Sequence, residues 1–181
     1  MKLLLLSLLL FPIVVPAFAS EGVKELEYRL AAATSMADEL QLGLAMVDLV
    51  GSACSGNAGA AAALGSRYRT GAGEFEQAPG KALTLLRFAS QRGIARAMPD
   101  LVLLLSRADS SLAEIEEAAK WRKIGNALSP GSMEMAIAAQ AFEIARNGRD
   151  PSAGYQAAAV WLQKRNLGMS TEDASIDCSA W

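Results

Sequence analysis

The chain contains no histidine. That removes His-based catalytic triads, Cys–His dyads, the helical H-E-x-x-H zinc motif and the commonest zinc ligand together. Cysteine is nearly as scarce. Cys54 and Cys178 are the only two and stand 124 positions apart, so they form no C-x-x-C redox or metal motif. S-x-x-K, G-x-S-x-G, the phosphate-cradling G-x-x-x-x-G-K-[ST] and the calcium loop are all missing. Gly71-Ala-Gly73 is followed by Glu76, where a dinucleotide fingerprint requires its third glycine. With a formal net charge of −2 and no basic stripe, the chain lacks the footprint of a nucleic-acid binder. Period-two alternation and β-branched runs are also lacking, which leaves a sheet no obvious place to form. These absences point away from an enzyme and from any cofactor or metal, and toward a helical protein whose function lies in its surface.

The one long apolar run is N-terminal. Lys2 precedes Leu3 to Val15, then Pro16 and the small-residue triplet Ala17-Phe18-Ala19. A single basic residue, a short apolar stretch interrupted by Pro12 and small residues at alternate positions predict a secretory leader over residues 1–19. The run is too short for a spanning helix, which needs roughly 18 or more apolar residues. Ser20 stands where a lipid-anchored export signal needs cysteine. No later segment is long and apolar enough to cross a bilayer, so no stable membrane insertion is expected after cleavage. The expected destination is periplasmic or secreted. In such an oxidising compartment an even cysteine count favours a Cys54–Cys178 disulfide, with two free thiols as the alternative.

Beyond residue 20 the chain is rich in Ala, Leu, Met, Glu, Lys and Arg, which favours helix. Ser111-Leu-Ala-Glu114 fits a capping box, and Ser129-Pro130 offers an N-cap followed by proline at the first helical position. Gly71, Gly93 and Gly148 fall where helices end. Sliding the chain on itself exposes an internal repeat. Gly56 and Gly93 open similar stretches 37 residues apart, and Trp121 recurs as Trp161 after 40. Both spacings suit helix-turn-helix solenoids. Ala58, Ala60 and Leu64 share one face of a first helix, and Ala82, Leu85, Leu86 and Ala89 share the facing side of a second. Gly65 and Ala82 are small enough for close approach, and Tyr68 plugs the gap near the turn. The Glu114, Glu116 and Glu117 group opens a helix, where carboxylates favour the positive end of the dipole. Trp121 and Trp161 are expected to fill gaps between helices.

Residues 56 to 93 resemble a Sel-1-like repeat, a relative of the tetratricopeptide repeat. The matching positions are Gly56, Asn57 for Asp, Ala58, Ala60, Leu64, Gly65, Tyr68, Gly71, Gly73, Lys81, Ala82, Ala89 and Gly93. Residues 94–128 match in part, lacking the G-x-G loop and carrying Pro99 within the first helix. Residues 129–168 match weakly, through Gly148 and Ala158 to Trp161. The resemblance implies an all-α fold, a short α-α solenoid of about three units. Its boundaries fall at 56–92, 93–128 and 129–168, after an N-terminal helical cap over 20–55 and before a tail over 169–181. The segments Val23–Leu30 and Leu40–Val50 supply the cap. Cys178 and Trp181 are positioned to pin the tail back.

Solenoids of helix pairs recognise partners along the groove lined by their first helices. Projecting the repeat register puts Ala63, Ser66, Arg69 and Thr70 there from the first unit. Asp100, Leu103, Ser106 and Arg107 follow from the second, and Gln140, Glu143, Arg146 and Asn147 from the third. The stripe Arg69, Arg107, Arg146 suits an extended peptide or protein loop with acidic groups. The resemblance implies an adaptor or scaffold in a bacterial envelope, binding a protein or peptide partner. Two alternatives stand beside it. One is hydrolysis or binding of cell-wall-like or β-lactam substrates, ascribed to cysteine-rich relatives whose repeats each carry a cysteine pair that this chain lacks. The other is a purely structural subunit of an envelope complex.

Overall fold

The computed structural model describes residue 28 and residues 36–73, 75–169 and 175–179. The predicted leader, much of the predicted cap and Trp181 lie outside the described residues. Within them the chain is all-helical, with no strand. In order the helices are α1 (Met36–Cys54), α2 (Ala58–Thr70), α3 (Pro79–Gln91), α4 (Ala97–Leu105), α5 (Leu112–Leu128), α6 (Met133–Arg146) and α7 (Ser152–Asn166).

Local chemistry sets most of these boundaries. The Asn57 side chain accepts from the Ala60 amide at 3.1 Å and starts α2, and Gly71 ends it in the left-handed region at φ 69°. Pro79 opens α3 at a position whose N–H has no helical partner to lose. Pro99 sits in the first turn of α4, where proline is tolerated, and the helix survives as a nine-residue element. Ser111 and Glu114 complete the capping box of α5 in both directions. Ser129-Pro130 does not start the next helix. Ser129 closes α5, Gly131 turns the chain at φ 79°, and Ser132 caps α6 by accepting from the Met135 amide at 3.2 Å. The left-handed glycine between the two serines moves the start by three residues.

α1 packs on α2, α2 pairs with α3, and α4 pairs with α5. The first members of successive pairs also pack on one another in turn, α2 on α4 and α4 on α6, while α7 lies along α5. α6 and α7 each pack mainly against the second pair and little against each other. Ala45, Leu49 and Ala53, four residues apart, form the buried face of α1. Leu44 and Val47, expected in the cap's apolar face, point to solvent instead. Leu64, Leu85 and Leu86 are completely buried between α2 and α3, each contributing roughly 1.5–3 kcal/mol through burial. Gly65 is what lets them meet, since a Cβ there would lie 2.7 Å from Leu86 Cγ.

Trp121 and Trp161 are core residues, 1% and 3% exposed, stacked edge to face with centroids 6.2 Å apart between α5 and α7. Tyr68 meets Phe75 edge on at 5.2 Å, and its carbonyl accepts from the Ala78 amide, which folds the α2–α3 turn onto the pair. Cys54 at the end of α1 is bonded to Cys178, with Cα atoms 5.9 Å apart. Ile176, two residues earlier, packs against the core. The bond therefore holds the tail to the first described helix.

Candidate functional site

One cleft opens where α2, α4 and α6 meet, and another between the ends of α4 and α6. The first, of about 270 Å³, is lined by Ala62, Ala63 and Ser66 of α2, by Arg96, Pro99 and Asp100 at the start of α4, and by Glu134 at the start of α6. The second, of about 290 Å³, is lined by Ser106 and Ala108 beyond the end of α4, and by Ala141, Ile144, Ala145 and Asn147 toward the end of α6. α4 and α6 thus begin beside one cleft and end beside the other, so they run in the same direction. The second cleft is nearly all apolar, and the Ser106 hydroxyl oxygen is buried in its wall without a hydrogen-bond partner.

Three arginines hold this architecture. Arg96 donates to the Gly59 carbonyl at 2.8 Å and ties the start of α4 to the start of α2. Arg149 donates to the Ser110 and Ala145 carbonyls, fastening the end of α6 to the loop before α5 and so fixing the second cleft's wall. Arg122 of α5 lies over the Phe142 ring of α6 with its Cζ 4.6 Å from the centroid, pairs with Glu143 at 3.0 Å and donates to the Tyr155 hydroxyl of α7. Arg87 of α3 makes a two-pronged pair with Glu117 of α5, which also accepts from the Trp121 indole at 3.3 Å.

No protein-family model, curated protein or solved structure matches this chain.

Of the residues projected from sequence, Ser66 and Asp100 line the first cleft together. Arg69 reaches Asp100 at 2.8 Å across α2 and α4. Leu103 is half-buried and packs against the core. Gln140 is exposed on α6 and lines neither cleft. Arg107 pairs with Asp109 at 3.1 Å beyond the end of α4, and Arg146 pairs with Glu143 within α6. Glu143 faces Arg122 on α5, while Ile144 and Ala141 take the cleft wall on α6.

The projected arginine stripe is therefore cancelled inside the chain. Each of Arg69, Arg107 and Arg146 has a carboxylate partner within the chain, Arg146 sharing Glu143 with Arg122. The hydrogen bond from Arg107 holds the Asp109 carboxyl below its ordinary value, and the one from Arg146 does the same for Glu143. A ligand's acidic group would have to displace these partners, so the face offers shape and apolar surface more than charge. Among the described residues no group of three or more His, Cys, Asp or Glu side chains is arranged to hold a metal ion, and no helix is long and apolar enough to cross a membrane.

Sequence reasoning missed Arg96, Arg122 and Arg149, whose partners lie 37, 33 and 39 residues away. Nothing in the local pattern marks them. It also missed Ile144 and Ala141 as cleft residues, and here a signal existed. Ile137, Ala141 and Ile144 recur at helical spacing on the side of α6 next to its buried Ala138 and Phe142 face.

Proposed function

We propose that this chain is an exported scaffold, a short α-α solenoid of the kind Sel-1-like repeat proteins form, which recognises a protein or peptide partner and carries out no reaction itself. The observation that carries this reading is the alignment of α2, α4 and α6. The packing of α2 on α4 and of α4 on α6, with a cleft beside all three and another between the last two, supports a recognition surface of the type solenoids use. The seat we assign to the partner is the first cleft, built from Ser66, Arg96, Asp100 and Glu134 around the apolar floor of Ala62, Ala63 and Pro99. Its mixture of both charges on a small-residue floor suits a polar loop or extended peptide better than a strongly charged one. The Cys54–Cys178 bond supports an oxidising compartment, periplasmic or secreted.

Site-specific photocrosslinking in the native host tests this. A crosslinking side chain in place of Ser66 should capture a discrete envelope protein. The same group at Lys123, exposed on α5 away from both clefts, should not. Equal capture from both positions, or none from Ser66, would overturn the assignment.

A further inference from the structure

α1 and α7 each pack mainly along one helix of the body, α1 on α2 and α7 on α5, and each keeps a side open. On α1 the open side is Gly43, Leu44, Val47, Asp48 and Gly51, opposite the buried Ala45, Leu49 and Ala53, with Leu44 54% and Val47 68% exposed. On α7 it is Ala153, Ala157, Val160, Lys164 and Leu167, again at helical spacing, with Val160 53% and Leu167 66% exposed. Exposed apolar stripes of this kind mark interaction surfaces.

Two features say what fits the stripe on α1. Glycine inside a helix is destabilising relative to alanine. Gly43 and Gly51 nevertheless stand inside α1, neither has a positive φ, and a Cβ at either would meet nothing within 4 Å. Among the described residues the fold makes no use of them. The row Gly43, Val47, Gly51 is a low strip along which the backbone of another helix can come close. The second feature is charge. α1 carries Asp38, Glu39 and Asp48 and no basic residue, whereas α7 carries Lys164 and Arg165 and no acid. Asp48 and Lys164 are both exposed, and no ion pair engages either. The acidic stripe therefore has its complement, apolar and basic, on the same molecule, and α1 and α7 do not pack on one another within the chain.

We propose that a second copy of this chain docks head to tail, the open side of α7 in one copy lying along the open side of α1 in the next. The contact joins two different faces, so each pair keeps one unused α1 face and one unused α7 face, and further copies add as concentration rises. One helix laid on another covers less than the roughly 1,200 Å² of a stable interface, which makes the association weak and dilution-sensitive. It uses neither cleft and does not rest on the recognition reading.

Sedimentation velocity of the disulfide-bonded chain over a dilution series tests this, the mean mass rising above that of a single copy as concentration increases. Val47→Arg sets a cation against the basic face and Val160→Glu sets an anion against the acidic one. Each should weaken self-association about 30-fold or more, the loss expected of a central contact, with an unchanged circular dichroism spectrum because both positions are exposed. Mixing the two variants should restore association, because the first keeps its α7 face and the second its α1 face. A single-copy mass at every concentration, or association indifferent to Val160→Glu, would overturn the proposal. So would a Val47→Arg chain that melts at lower temperature with its mass distribution unchanged, since the occupant of the α1 stripe would then be residues 20–35 of the same chain.

Discussion

Gly154 on α7 has no room for a side chain, because a Cβ there would lie 2.0 Å from the Glu116 carbonyl oxygen of α5. Backbone cannot give way as a side chain can. Gly154→Ala should therefore force α7 off α5 and cost about 1–3 kcal/mol, a fall in Tm of roughly 2–12 °C for a chain of this size. Gly65→Ala meets side-chain atoms of Leu86 and Leu85 rather than backbone, and should cost less. Thermal denaturation of the two variants side by side checks the order, and equal melting points would contradict the close crossing. Of these two glycines the sequence marks Gly65, since it sits within a repeat match, but not Gly154. The contact partner of Gly154 is 38 positions earlier, and no local pattern registers it.

Some helix boundaries were legible from residues close to the groups they satisfy. Ser111 caps α5 with its side chain and Gly71 ends α2 through its backbone amide, each within four residues of the group it satisfies. Ser111→Ala should cost about 1 kcal/mol by leaving the Glu114 amide without its acceptor, measurable as a shift in the urea midpoint. The Glu114 carboxyl is held below its ordinary 4.5, chiefly because it accepts from the Ser111 backbone amide and also from the Ser111 hydroxyl. A depressed carboxyl stabilises the fold above its unfolded pKa and loses that contribution as pH falls through the folded value. Glu114→Gln should accordingly show a shallower decline in stability below about pH 4.5 than the parent chain; an identical acid limb would refute it. The start of α6 escaped the sequence because Ser129-Pro130 and Ser132 both satisfy local start rules. Gly131, which decides between them, acts through its backbone angle. Of the residues projected from the third unit only Asn147 lines a cleft, for a related reason. α6 and α7 contact the second pair more than each other, so the inward face of α6 is set by α4 and α5 rather than by repeat spacing. The all-helical class, by contrast, needed only composition and period.

At the scale of the whole molecule, a bond joins the first described helix to the segment beyond the last. α1 touches the rest of the helices through α2, and α7 through α5, yet Cys54 at the end of α1 is bonded to Cys178 beyond α7. Cross-linking a loop of 124 residues removes up to about 5 kcal/mol of chain entropy from the unfolded state. Reduction, or Cys54→Ser, should lower Tm accordingly, and a chain that melts identically in reductant would show the bond to be energetically idle. Both thiols should also resist alkylation until the chain is reduced. The sequence paired them through compartment logic and had no means of showing that Ile176 packs into the core beside them.

An array of stacked helices ordinarily opens like a zipper, its outermost members exchanging their amide protons first. Here both outermost members are stitched to one another, so neither has a loose flap from which to start. Hydrogen exchange along the backbone should then be nearly level from α1 to α7 while the stitch is intact, and should tilt toward early loss at α1 and α7 once it is cut.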